Sequence, residues 1–236
     1  MKTLRLKLYQ NLCNYRKEGG FGYIQTYPLP TPSMVRGMVH SVLGLTEYNP
    51  LKISIQGKSD GVVTNLQRVY KFDRDPKSRP QNPYIVYVKK SQKTATHSIL
   101  FLDLQINVNL IIHISFKNES LNDRLFNAIN EKIITLGRNE DIVRVDEAKL
   151  VDIATPTSRS VITKLPMYVL PNYLGMPSGT RLRLPFYYRT VESFEENRFF
   201  YYVDVNYVGE GTSLIKEQLL EDEEGNIVCF LNCNYE

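Results

Sequence analysis

Residues Ile106–Phe116 alternate without a break. Ile106, Val108, Leu110, Ile112, Ile114 and Phe116 fall on one side, and Asn107, Asn109, Ile111, His113 and Ser115 on the other. A period of two over that length is a β-strand with one face turned to a core. A slip of one residue would put the whole apolar row on the wrong face, so the sheet around this strand is tightly constrained. Thr3–Tyr9 repeats the pattern, with Leu4, Leu6 and Leu8 inward and Arg5, Lys7 and Tyr9 on a basic, aromatic outer face. His113, on the polar side of an apolar strand, reads as a structural histidine.

Helices connect these strands. Thr26-Tyr-Pro-Leu-Pro-Thr-Pro-Ser33 opens into a helix, with Thr31 as N-cap and Pro32 at the first position, where its missing N–H costs nothing. Met34, Val35, Met38, Val39, Val42 and Leu43 recur at helical spacing and form a buried face. The other side carries Ser33, Arg36, Gly37, His40 and Gly44. Two interior glycines, each costing about 1 kcal/mol against alanine, imply a close approach to that backbone by the sheet or by a phosphate chain. Ser120 and Asp123 suggest a second helix start, running through Leu121, Leu125, Ile129 and Ile133 to Gly137. Ile142–Val145 and Leu150–Ile153 then supply a returning strand split by a polar turn.

Between helix one and the long strand lie Leu51–Gln56, Val62–Tyr70, Tyr84–Val88 and Ile99–Leu104, with a three-proline loop at Asp73–Pro83. This block reads as a β insertion. The order is strand, helix, insertion, strand, helix, strand. That predicts an α+β chain: a ferredoxin-like βαββαβ domain over residues 1–155, with an arm inserted at about 56–98. From 156 to 236, short proline- and glycine-punctuated segments and the aromatic strand Arg198–Val208 predict a small β-rich appendage packed on the main sheet.

Charge separates along this order. Arg68–Lys93 holds eight basic residues against Asp73 and Asp75, whereas Val191–Gly225 holds ten acidic residues against Arg198 and Lys216. A positive middle and a negative end suggest different partners. Cys13, Cys229 and Cys233 have no metal-ligand spacing and read as reduced thiols, and acidic residues 221–224 read as a solvated run at a turn. No Walker loop or dinucleotide fingerprint is present, so no metal or cofactor is expected. The charged, alternating start and the lack of a ~20-residue apolar run predict a soluble, cytoplasmic protein without a membrane contact.

One further pattern is specific. Asn14-Tyr-Arg16, Gln25-Thr-Tyr-Pro-Leu-Pro30, Pro32-Ser33, Gly37-Met38, Gly44-Leu45, Thr46-Glu-Tyr48 and Ile53-Ser-Ile-Gln-Gly57 resemble the CRISPR-associated Cas-five family of the RAMP superfamily. More narrowly, the pattern looks like the type I-B branch. Leu136-Gly-Arg138-Asn-Glu-Asp141 looks like the family's turn after its second helix. The resemblance implies a modified RNA-recognition fold that grips the 5′ handle of a CRISPR guide RNA. It also implies a thumb-like arm against the Cascade backbone subunit, docking of the large target-recognition subunit, and indirect contact with target DNA.

RNA binding needs cations for phosphates, flat rings for unstacked bases and open backbone. The helix supplies Ser33, Arg36 and His40; the loops supply Arg16, Lys17 and Arg138; the arm supplies Arg68, Lys71, Arg74, Lys89 and Lys90. Gly175-Met-Pro-Ser-Gly-Thr-Arg-Leu-Arg183 adds a glycine-bearing basic loop with Arg181 and Arg183, and Tyr27 or Tyr70 are candidate stacking rings. The family's RNA-cutting branch uses a tyrosine, a lysine and a histidine without metal. Tyr48 sits near that tyrosine's position, but the adjacent Lys-His pair is missing. A non-catalytic subunit is the first expectation. The alternatives are an endoribonuclease using Tyr48 with His97 or His40, and a purely structural subunit.

Overall fold

The computed structural model describes residues 2–20, 22–74, 85–90, 93–156, 160–190, 198–215 and 219–231. Four long strands form its centre: β1 (Lys2–Cys13), β3 (Leu51–Lys58), β6 (Lys93–Phe116) and β8 (Ile142–Ala154). They lie in the order β8-β1-β6-β3, each antiparallel to its neighbour. Helix α1 (Pro32–Leu43) follows β1 and the short strand β2 (Tyr23–Ile24), and α2 (Glu119–Ala128) follows β6. The predicted apolar rows meet in register: Ile112 lies between Leu6 and Ile55, and Ile114 between Leu4 and Ile53. These side chains are buried with Val35 and Val39 of α1 and Leu121 and Leu125 of α2.

The arm is built from the same sheet. β4 (Gly61–Arg74) pairs with the first half of β6, and β5 (Ile85–Val88) pairs with its start from the other side. The two predicted strands Ile99–Leu104 and Ile106–Phe116 are thus one 24-residue strand, half in the arm and half in the core. β8 is likewise continuous through the predicted polar turn, which lies beside a register shift opposite Lys7 and Leu8. α2 starts and ends earlier than its pattern suggests. Asn118 is the N-cap, its Oδ1 accepting from Ser120 N, and Ile133 lies beyond the helix, 86% exposed.

The C-terminal residues join this sheet edge to edge. β10 (Met167–Val169) pairs with β3, and the hairpin β11 (Thr180–Thr190) and β12 (Arg198–Val208) extends the sheet beyond it. β14 (Leu220–Asp222) and β15 (Ile227–Val228) extend it from β8, while β9 (Ser160–Ile162) and β13 (Ser213–Ile215) form a separate pair. A two-residue strand, β7 (Ile134–Thr135), precedes β8.

The second face of the central sheet is covered as well. Cys229 N donates to Ser54 Oγ at 3.0 Å, Gln56 Nε2 to the Ile227 carbonyl at 2.9 Å, and Leu231 N to the Ile53 carbonyl at 2.9 Å. Arg5, expected on an outer face, is wholly buried there. Its Nη1 donates to Asp222 Oδ2 at 2.8 Å, and its Nη2 to Glu147 and Glu224. His113 Nε2 lies 3.1 Å from the same Asp222 oxygen, which bears out its structural role. The acidic run is therefore not solvated as a whole. Alternation predicted which residues share a face, and the C-terminus decides what covers it.

Candidate nucleic-acid interface

A cleft of about 640 Å³ opens between α1, the segment after it and β11. Ser33, Arg36, Gly37, His40, Tyr48 and Arg189 line it with Tyr187. The helix is set as its sequence demands: Thr31 Oγ1 accepts from Met34 N at 3.4 Å, and Pro32 opens the first turn. Gly44 is not interior. It adopts φ 66° as the left-handed cap, and the next N–H, of Leu45, reaches the His40 carbonyl at 2.9 Å. Gly37 is interior, and a Cβ there would meet nothing within 4 Å. Close helix–sheet packing does not explain it. It leaves bare backbone on the cleft wall.

Arg36 is held inside the protein. Its Nη1 donates to the Asn49 carbonyl at 2.9 Å and its Nη2 to the Leu51 carbonyl at 3.4 Å. Its guanidinium lies 4.9 Å from the Tyr48 ring centre and 5.1 Å from that of Phe186. It fixes the tyrosine and lends the cleft a positive wall. Burial, then the charge of Arg36, pulls the His40 imidazolium below its ordinary range, so the ring is neutral at pH 7. Tyr48 and His40 thus share one cleft, whereas His97 stands on the arm, 6.0 Å from the Tyr70 ring.

The arm combines cations and rings. Residues two apart share a face, so Leu66, Arg68, Tyr70 and Phe72 project on the side of Ile99 and Phe101. These apolar side chains are all exposed. Lys71 projects from the opposite face, and Lys89 and Lys90 occupy the exposed turn between β5 and β6. The side chain of Arg74 lies outside the described residues.

The remaining predicted residues scatter. Arg16 is exposed at a bridge to Thr26, and Lys17 Nζ sits 5.7 Å from the Tyr27 ring. Tyr27 is itself buried, which leaves Tyr70 the accessible ring of that pair. Arg138 is committed to the chain: its Nη2 donates to Asp141 Oδ1 at 2.6 Å and its backbone N to Oδ2 at 2.8 Å. Arg181 pairs with Asp204 at 3.3 Å, and Arg183 lies over the Tyr202 ring. In the same loop, Gly179 has φ 76° and a Cβ would run into the Tyr207 carbonyl. That glycine serves the fold. Tyr187 and Arg189 complete the cleft and were not predicted. Their sequence signal was the Phe-Tyr-Tyr-Arg run 186–189, which reads as ordinary strand until the hairpin is folded.

Among the described residues, no group of three or more His, Cys, Asp or Glu side chains is placed to hold a metal, and no helix is long and apolar enough to cross a membrane.

The family model described as CRISPR-associated protein (Cas_Cas5) matches residues 3–184, more than half of the chain. No curated protein matches it. Among solved structures, a chain titled "CRISPR RNA-guided surveillance complex" aligns at 15% identity over 90% of this chain and 91% of that one, with TM-score 0.56, a likeness of fold. A CRISPR protein from Archaeoglobus fulgidus aligns at 12% identity over 99% and 100%, with TM-score 0.47. A chain of the Type III-B Cmr-beta complex bound to cognate target RNA and AMPPnP aligns at 14% over 92% and 86%, with TM-score 0.45. By the family match, this chain belongs to the CRISPR-associated Cas5 family.

Proposed function

We propose that this chain is a non-catalytic guide-RNA-binding subunit of a type I, I-B-like, CRISPR surveillance complex in the cytoplasm. It caps the 5′ handle of the guide and organises the backbone and large subunits beside it. The observation that carries this reading is the continuity of β6. One 24-residue strand runs from the buried core into an arm whose exposed face bears Arg68, Tyr70 and Phe72. A rigid basic and aromatic projection suits phosphates and unstacked bases. The central order β8-β1-β6-β3 with its two crossing helices supports a ferredoxin-like reading of the RNA-recognition type. Since both sheet faces are covered, the RNA is taken by the arm and the α1 cleft rather than by an open sheet. Arg16, Lys17, Ser33, Arg68, Lys71, Lys89, Lys90, Arg181 and Arg183 are the candidate contacts. Arg36, His40 and Arg138 act by shaping them.

A second reading rests on one specific juxtaposition. Tyr48 and a neutral His40 line the same cleft, beside a fixed Arg36. Those types could serve as proton carrier and charge stabiliser in metal-independent RNA cleavage. Binding and cleavage of a labelled guide-repeat RNA in EDTA across a salt series separates the readings. Salt-dependent binding without cleavage supports the capping role. Cleavage lost in Tyr48→Phe supports the second.

A further inference from the structure

Four rings run out of the cleft along the β11–β12 hairpin. Tyr48 meets Tyr187 at 4.8 Å, Tyr187 stacks on Tyr201 at 4.5 Å and 10°, and Tyr201 meets Phe199 edge-on at 5.6 Å. The chain begins and ends in solvent: Tyr48 is 36% and Phe199 60% exposed, while Tyr187 between them is buried. A ring cluster built only to fill a core would hide its ends. Arg189 flanks the ladder, its guanidinium 5.7 Å from the Tyr187 ring and 5.6 Å from that of Tyr201. It is exposed, and among the described residues it has no ion-pair partner.

We propose that this ladder is a stacking track for unpaired nucleotides, with Arg189 taking a phosphate. The inference rests on the RNA-binding reading above and gives the cleft a ligand class: a single-stranded ribonucleotide segment with its bases splayed. Tyr187 is buried between Tyr48 and Tyr201, so the exposed ends of the ladder, Tyr48 and Phe199, beside a guanidinium are what match a polymer that alternates planar bases with anionic linkers. The cleft volume of about 640 Å³ falls within the range of small-ligand sites (roughly 300–1,000 Å³). Across it, Gly37 leaves the α1 backbone open to a close-lying ribose or phosphate. Glu47, the one carboxylate on the lining among the described residues, is an acceptor suited to a base's exocyclic amine and not to a phosphate.

The test uses the full chain with two fluorescein-labelled probes at low salt: an eight-residue oligoadenylate and an abasic ribose-phosphate oligomer of the same length. The proposal predicts tighter binding of the oligoadenylate. Phe199→Ala should weaken that binding about tenfold and leave the abasic oligomer unaffected. Phe199 is exposed, so a thermal melt should show the variant folded. Arg189→Gln should make the salt dependence shallower by about 0.7 in log–log slope. Equal affinity for the two probes, with no effect of Phe199→Ala, overturns the ladder. An Arg68→Ala/Lys71→Ala variant separates the two failures. If it weakens binding while Phe199→Ala does not, RNA binding stands and the track is wrong. If neither variant matters, both readings fail.

Discussion

The Tyr9 hydroxyl donates to Asn107 Oδ1 at 2.8 Å, tying β1 to the point where β6 leaves the core for the arm. Asn107 has φ 49°, the one described non-glycine residue with positive φ, and its Nδ2 donates to Asp60 Oδ2 at 2.9 Å. On either side of it, β6 exchanges β3 for β4 as its partner. A left-handed residue with both ends of its amide held sets the angle of the arm. Asn107→Val should therefore destabilise the chain by about 1–3 kcal/mol, since a β-branched residue resists that conformation, whereas Asn107→Gly should keep the backbone. Urea midpoints for the two variants check this, and only the valine variant should also lose RNA affinity.

Asp222 anchors the C-terminus to the first strand. Burial alone would raise its carboxyl, but hydrogen bonds from His113, Asn226 and Arg5 together hold it well below the usual carboxylate range. A depressed folded value means that its stabilisation is fully present above about pH 4 and is lost as pH falls toward that value. Asp222→Asn removes the buried counter-charge of Arg5, which keeps Glu147 and Glu224, and should cost about 1–3 kcal/mol at pH 7. Its stability should then fall less steeply than the wild type's below pH 4. Urea titrations from pH 7 to pH 2 would show both effects.

Two glycines make opposite predictions. At Gly57 a Cβ would strike the Asn109 carbonyl and the Leu110 side chain, so Gly57→Ala should be strongly destabilising. At Gly37 it would meet nothing, so Gly37→Ala should stabilise α1 by up to about 1 kcal/mol. If RNA lies against that backbone, the more stable variant should bind it more weakly. Melting temperature and RNA affinity moving in opposite directions would be the signature.

Arg138 should behave as a structural residue. Asp141 is nearly fully buried and accepts from Arg138 and from Asn14 N at 3.0 Å. Arg138→Ala leaves that carboxylate without its cation and should lower stability by about 3 kcal/mol or more. Among variants that remain folded, the salt slope of RNA binding should stay unchanged, unlike that of Arg68→Ala.

Much of this was legible in the sequence where local rules govern. Thr31 and Pro32 start α1 as their chemistry requires, and the alternation of Leu4–Leu8 and Ile106–Phe116 gave the core rows. What failed was anything set by distant chain. Arg5 and Asp222 are 217 residues apart, so no pattern in β1 announces that its outer row is covered. Ile133 kept helical spacing, but Asn118 captured the first N–H groups and α2 ended at Ala128. Tyr187 and Tyr201 become a stacked pair only through the β11–β12 register, which shifts between Pro185 and Tyr187. The cleft and its ladder are products of that hairpin.

The most direct test of the account measures binding and cleavage together: the purified chain against a labelled guide-repeat RNA in EDTA, from low to high salt. The account predicts 5′-handle binding that weakens steeply with salt, with the RNA recovered intact. Specific cleavage at one repeat position, or assembly with neighbouring subunits that is indifferent to RNA and salt, would contradict it.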